Sequence, residues 1–273
     1  MLPYRNVKAM IFPLAERLGS RTIEKGRAIC AVVAVAATAV WLALQPRRWS
    51  QPVRDVLGRQ ILFTGVDAMG VISGIAVLVG LSVILQIYVA LTRLGQSTMI
   101  GPLLVAILIR EAGPLLVNFI VIARSGTAIA SELSAMQVTG EVRVLDALGL
   151  DPLLVLVMPR AIGVAISVVC LTVLFLVLSF ASGYVGGLLL GVVSGSPGRF
   201  LGSVFNALRP ADLVNVITKA LVPGLLTGTL CSVEGLGVRG ALSEVPQAAT
   251  RGVVKSFISL FLVSAIVSVL TYL

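Results

Sequence analysis

Residues 153–193 read LLVLVMPRAIGVAISVVCLTVLFLVLSFASGYVGGLLLGVV, 41 positions with a single charged side chain, Arg160. As one helix this stretch would run about 60 Å at 1.5 Å per residue, against a hydrocarbon core of roughly 30 Å. It therefore reads as a transmembrane helix with one end carried into the interface. Outward from it lie further long apolar runs at about 66–91, 99–123, 211–234 and 252–273. A shorter one, 28–44, would reach only about 25 Å as a helix, short of the core. Composition agrees: the 273 residues are 58% apolar and 12% charged, with mean hydropathy +1.05. Soluble domains carry about 25% charged residues, so this chain has too little polar surface to cover its own core. A water-soluble enzyme, a disordered tail and a disulfide scaffold are excluded. The expected fold is an all-α integral membrane protein.

Basic residues orient the spans, because Lys and Arg favour the cytoplasmic side. Residues 1–27 hold six of them and 45–60 hold four (Arg47, Arg48, Arg54, Arg59). Both flanks of 28–44 thus belong inside, and that run reads as an interfacial helix with Trp41 and Trp49 near the headgroups. Gln45-Pro46-Arg47-Arg48-Trp49 is a basic stop, unlike the small-residue site of a cleaved signal peptide. Alternation then places 92–98 outside, 124–152 inside, 194–210 outside and 235–251 inside. The result is five spans with the N-terminus inside and the C-terminus outside; six spans is the alternative. Residues 1–60 form a cytoplasmic N-terminus and interfacial helix, and 61–273 a five-helix membrane domain. The stripe Phe200, Leu201, Val204, Phe205, Leu208 predicts an amphipathic helix over about 198–208 on the outer face.

The formal charge of +9 fits this inside bias better than nucleic-acid binding. The chain has no histidine, and Cys30, Cys170 and Cys231 are far apart in apolar runs. Neither a metal site nor a disulfide framework follows. No Walker A pattern occurs, and Gly235–Gly240, which fits G-x-G-x-x-G, follows a membrane helix rather than a strand. No catalytic residue, metal or cofactor is expected in this chain. Glycines four apart (Gly70/Gly74, Gly224/Gly228, and Gly183, Gly187, Gly191, Gly195) point first to close packing within the bundle, and second to a dimer face.

Two features carry more information. Arg110 and Glu111 lie mid-span, where an ionisable group costs several kcal/mol unless paired or hydrated. Adjacent residues point about 100° apart on a helix, so the two cannot satisfy each other. Pro114 also removes the N–H that the Arg110 carbonyl would accept. Lys219, at similar depth in the fourth run, is the candidate partner of Glu111. These charges either lock the helices together or serve as the polar lining of a substrate cavity or as a transmission element. The second feature is the inside segment 124–152, with four of the chain's twelve acidic residues. Ser131 reads as the cap of a helix striped by Leu133, Met136, Gly140, Val144 and Leu148, ended by Gly149 and Asp151-Pro152. Such a helix is suited to meeting another protein.

Arg110-Glu111-Ala112-Gly113-Pro114-Leu115, Ala123-Arg124-Ser125-Gly126, Glu132-Leu133-x-x-Met136, Leu148-Gly149-Leu150-Asp151-Pro152 and Pro159-Arg160 together resemble the MlaE (YrbE) family of lipid-transport ABC permeases. A further likeness lies at Ala249–Val254, and the whole covers roughly Gln60 to Leu273. The resemblance implies a homodimer with an N-terminal interfacial helix and five spans per subunit. It implies a separate ATPase, binding ATP and Mg, engaged by a coupling helix at about 131–150 through Glu132, Leu133, Met136, Glu141, Arg143, Leu145 and Leu148. It implies a phospholipid cavity lined by Val83, Gln86, Ile87, Ala90, Leu91 and Leu94, with Arg110 and Glu111 nearby. An outer-face MCE-domain protein and an accessory STAS-domain subunit complete the implied partners, in a bacterial inner membrane. Departures from the family pattern are Ala123 for Gly, Gly140 for an acidic residue and Arg143 for Asp. An ion-coupled carrier or channel using Arg110, Glu111 and Lys219, and a non-transporting scaffold, are the rival functions.

Overall fold

The computed structural model describes residues 30–45, 49, 51–93, 100–189, 197–238 and 240–272. Its helices are α1 (Cys30–Ala43), α2 (Gln51–Ile61), α3 (Met69–Arg93), α4 (Ile100–Leu104), α5 (Gly113–Val121), α6 (Thr127–Thr139), α7 (Glu141–Ala147), α8 (Met158–Leu189), α9 (Pro197–Ala207), α10 (Pro210–Leu236) and α11 (Val245–Tyr272). No strand occurs among the described residues. π-helical turns at Leu62–Val66, Val105–Ala112, Ile122–Gly126 and Leu153–Val157 join successive helices into longer runs. Five runs are long and apolar enough to cross a membrane: Gln51–Leu91, Gly101–Thr139, Leu153–Leu189, Pro210–Leu236 and Leu242–Thr271. With the shorter apolar α1, this is the multi-pass all-α architecture expected. α1 lies against the start of the third span, through Ala39 and Leu42 beside Leu153 and Val157. Trp49 Nε1 donates to the Leu42 carbonyl at 3.3 Å.

Two polar segments placed on the cytoplasmic side continue the membrane helices beyond the ends that hydropathy gave them. Within 45–60, residues 51–60 belong to α2, and its helix continues through the 60/61 boundary into the first span. Arg54 and Arg59 point outward while Val53 and Gln60 are buried against α8. Polarity here marks the wet face of an amphipathic helix, not a loop. Likewise the second span continues to Thr139, so Ser131 is mid-helix and caps nothing. The single helix expected over 131–150 is two. Gly140 takes a left-handed conformation (φ 84°) that ends α6, and α7 begins at Glu141. Glycine adopts that region without the Cβ penalty other residues meet. The predicted stripe is thereby cut: Leu133 is buried in the core, whereas Val144 on α7 and Leu148 just past its end are exposed. Gly149 (φ 73°) follows α7, and Asp151 Oδ1 accepts the Leu153 N–H at 2.9 Å where the third span starts.

α8 sits between α3 and α10, and glycines set how closely they approach. A Cβ on Gly80 would fall inside the Ser179 backbone, and one on Gly228 would lie 2.5 Å from Ala161 Cα. Ser179 Oγ donates to the Ala76 carbonyl at 3.0 Å across the first of these crossings. Gly224/Gly228 and Gly183 therefore pack within the chain, as expected of them. Gly70 and Gly74 do not: nothing lies within 4 Å of either Cβ position. Gly191 and Gly195 are outside the described residues. α9 is the anticipated amphipathic helix, with Val204 buried and Leu201 and Phe205 exposed.

The joint between α2 and α3 is held from the second span. Arg124 Nη1 donates to the Phe63 carbonyl at 2.8 Å, its guanidinium lies 4.7 Å from the Phe63 ring centre, and Asp67 is 3.8 Å away. These contacts are partly solvated and together contribute about 1 kcal/mol. Arg124→Leu should accelerate amide exchange across residues 62–67 and leave α10 unchanged; equal exchange in both proteins would contradict the clamp.

Candidate functional site

The second span carries Arg110 and Glu111 on a wide π turn, and the two side chains leave it towards different partners. Arg110 Nε lies 2.8 Å from Asp212 Oδ1, and its Nη2 donates to Oδ2 at 3.2 Å. Asp212 is fully buried, and Oδ2 also accepts the Arg209 N–H that opens α10. Lys219, seven residues on, pairs with Glu111 Oε1 at 2.6 Å, the pairing their depths suggested. The Lys219 side chain is 1% exposed, and all three ammonium protons are used. They go to Glu111, to Ser268 Oγ at 2.6 Å and to the Arg110 carbonyl at 2.9 Å. Ser268 donates to Glu111 Oε1 at 2.7 Å, and Ser264 to Oε2 at 3.5 Å, so α11 closes the cluster.

Two prolines explain why the polar groups meet as they do. Pro114 lacks the N–H that an α-helix would aim at the Arg110 carbonyl, and Lys219 donates there instead. Pro223, in α10, withholds an N–H from the Lys219 carbonyl in the same way. Asn118 Nδ2 supplies it from the facing helix at 3.1 Å, while also donating to the Pro114 carbonyl at 2.8 Å. Each proline frees a carbonyl, and a side chain from the opposite span satisfies it, as buried backbone acceptors require. The cluster is neutral, with two cations facing two anions. It is not sealed: the Arg110 and Glu111 side chains remain 23% and 44% exposed.

Next to the charges lies a closed apolar core rather than an open lining. Ile87 and Leu91 at the end of α3 are buried with Leu104, Val105, Leu108 and Ile109 of the second span, and Val83 packs at the edge. Ala90 and Gln86 are exposed, Gln86 donating to Ser82 Oγ on its own helix at 2.9 Å. Leu94 lies outside the described residues.

The residues grouped as a coupling helix divide between core and surface. Glu132 pairs with the buried Arg160 at 2.8 Å, Leu133 is buried, and Met136 packs on the core. Beyond Gly140, Glu141, Arg143 and Leu148 are exposed and Leu145 is partly buried. Arg143 lines a cleft of about 350 Å³ with Gln137, Val138 and Gly140, bordered by Val238 and Gly240 from the α10–α11 connection.

Sequence reasoning missed Asp212, Asn118, Ser264 and Ser268, and it did not pair Glu132 with Arg160. Asp212 left a signal, an acid seven residues before Lys219 and so on the same helical face. Arg160 left another, as the sole charge in 153–193. The serines and Asn118 left none, because lone hydroxyls and amides in apolar runs are common.

The family model described as Permease MlaE matches residues 57–270. The chain belongs to the MlaE permease family. A probable ABC transporter permease protein of Rickettsia conorii is 28% identical over 265 residues, 96% of this chain and 99% of that one. The chloroplastic protein TRIGALACTOSYLDIACYLGLYCEROL 1 of Arabidopsis thaliana is 31% identical over 211 residues, 77% of this chain and 59% of its own length. The intermembrane phospholipid transport system permease protein MlaE of Haemophilus influenzae is 28% identical over 202 residues, 73% and 76% of the two chains. As an MlaE permease the chain is an ABC transporter permease. The charge cluster, the apolar core beside it and the α6–α7 end all fall within the matched region.

Proposed function

We propose that this permease moves phospholipid, or a closely related amphiphile, between the bacterial inner membrane and a periplasmic MCE-domain carrier, driven by a separate ATPase. The observation that carries this reading is the neutral, partly open Arg110–Asp212 and Glu111–Lys219 cluster on a span that also exposes the apolar Leu103 and Ile107. An amphiphile needs polar groups for its head and apolar surface for its tails, and the Haemophilus influenzae relative is named for phospholipid transport. An ion path is less well supported, because the charges cancel and all three Lys219 donors are spent inside the cluster.

In this reading the exposed Val144 of α7 and Leu148 at its end, with Glu141 and Arg143 beside them, dock the ATPase, which alone holds ATP and Mg. The open face of α3 at Gly70 and Gly74, with Val71, Val77 and Leu78 exposed along the same helix, supports a homodimer. The N-terminus is cytoplasmic and the C-terminus periplasmic, following the basic residues, and a STAS-domain subunit joins on the cytoplasmic side. Proteoliposomes containing the permease and its co-purified ATPase should pass fluorescent phospholipid to a soluble acceptor only with ATP. The double substitution Val144→Asp, Leu148→Asp removes two apolar anchors and should weaken ATPase retention by about thirtyfold or more, abolishing transfer while the permease stays monodisperse. Full-rate transfer without any ATPase would overturn the proposal.

A further inference from the structure

A second polar site lies far from the charge cluster. Between α2, α6 and the start of α8 opens a cleft of about 330 Å³, lined by Val56, Arg59, Phe63, Ile129, Glu132 and Arg160 among others. Glu132 is 21 residues beyond Glu111 on the same span, about 30 Å along the axis. Arg160 is buried, donating to the Leu156 carbonyl at 2.9 Å and to Glu132 at 2.8 Å, so its charge is compensated. Arg59 is exposed and has no polar partner among the described residues. Two guanidiniums against one carboxylate leave the cleft with an excess positive charge. Along the helix from Arg59, Leu62, Phe63 and Val66 are exposed and apolar. Arg124 covers one side of the Phe63 ring, and Leu62 and Val66 stay open. A cation at a cleft, followed within a turn or two by apolar surface, matches the order of groups in an anionic phospholipid.

We propose that this cleft binds the phosphate of an anionic phospholipid headgroup, with Arg59 as its ligand and the acyl chains lying on Leu62, Phe63 and Val66. Arginine suits this role because its planar fork donates to two phosphate oxygens at once. The site does not depend on the transport reading, since it requires only that the chain sit in a bilayer. It differs from general attraction to an anionic surface in being local. Arg54 shares the same helix, but five residues of helix turn it about 140° away from Arg59.

The test is native mass spectrometry of the full-length permease, with its accompanying subunits, released from nanodiscs of mixed phosphatidylglycerol and phosphatidylcholine. Wild type should retain phosphatidylglycerol preferentially. Arg59→Gln should lower that preference about tenfold, the loss expected for a charge-assisted guanidinium–phosphate contact. Arg59→Lys should keep most of it, and Arg54→Gln should cost no more than the few-fold diffuse attraction of one basic residue. Equal loss in R59Q and R54Q would reduce the effect to diffuse attraction and overturn the site. Displacement of phosphatidylglycerol by millimolar inorganic phosphate would assign the cleft to a soluble anion and overturn the lipid. Because Arg59 is a surface side chain, gel filtration of R59Q beside wild type shows that lost retention is not lost folding.

Discussion

Lys219→Met should destabilise the helix bundle by about 2–3 kcal/mol and abolish activity. The substitution keeps length and apolar packing, but it removes all three hydrogen bonds of the ammonium at once. Glu111 is left with serine donors alone, and the Arg110 carbonyl, deprived by Pro114, loses its replacement donor. Breaking a fully buried ion pair costs about 3–5 kcal/mol. The lower figure applies because Glu111 is 44% exposed and can rehydrate. Denaturation in mild detergent measures the loss, and a double-mutant cycle with Glu111→Gln isolates the pair. A coupling energy of at least about 1 kcal/mol is expected for contacting groups in one network. Strict additivity would show that the two side chains do not hold each other.

The same glycine-to-alanine change should have opposite signs at different positions. At Gly80 and Gly228 the added methyl meets backbone atoms of α8, which cannot rotate away. Inside a membrane, helices gain no hydrophobic drive from one another and depend on close van der Waals packing. Forcing α3 or α10 outward should therefore cost about 2–3 kcal/mol, in the range of other overpacked cores. At Gly70 nothing lies within 4 Å. Alanine there should be neutral or stabilise the subunit by up to about 1 kcal/mol through helix propensity. Thermal melting of G80A, G228A and G70A in one detergent makes the comparison. A Gly80→Ala protein as stable as wild type would place the α3–α8 crossing elsewhere.

The charge cluster shows how far local reading goes. That Arg110 and Glu111 cannot satisfy each other follows from helix geometry alone, and Lys219 follows from counting depth. Asp212 and Ser268 do not follow. They stand 102 and 157 residues from Arg110 and Glu111 respectively, and only the packing of three spans brings them there. The coupling segment is the converse case. Its glycine was visible, yet hydrophobic periodicity runs smoothly through Gly140, and a periodic pattern carries no mark of one left-handed backbone angle. Hydropathy also placed the ends of the first two spans too early or too late, because it cannot separate a polar loop from the polar face of a helix.

What the amino-acid order decided on its own is the class of molecule, the number of spans and the presence of charges that must be compensated within the bundle. These depend on sums over neighbouring residues, since the transfer of a helix into hydrocarbon adds up residue by residue. The tertiary structure alone decided which anion holds Arg110, which glycines meet a backbone and which face open space, and where α6 gives way to α7. Those outcomes depend on the rotation and crossing of helices distant in the chain, a relation between elements that no single stretch contains.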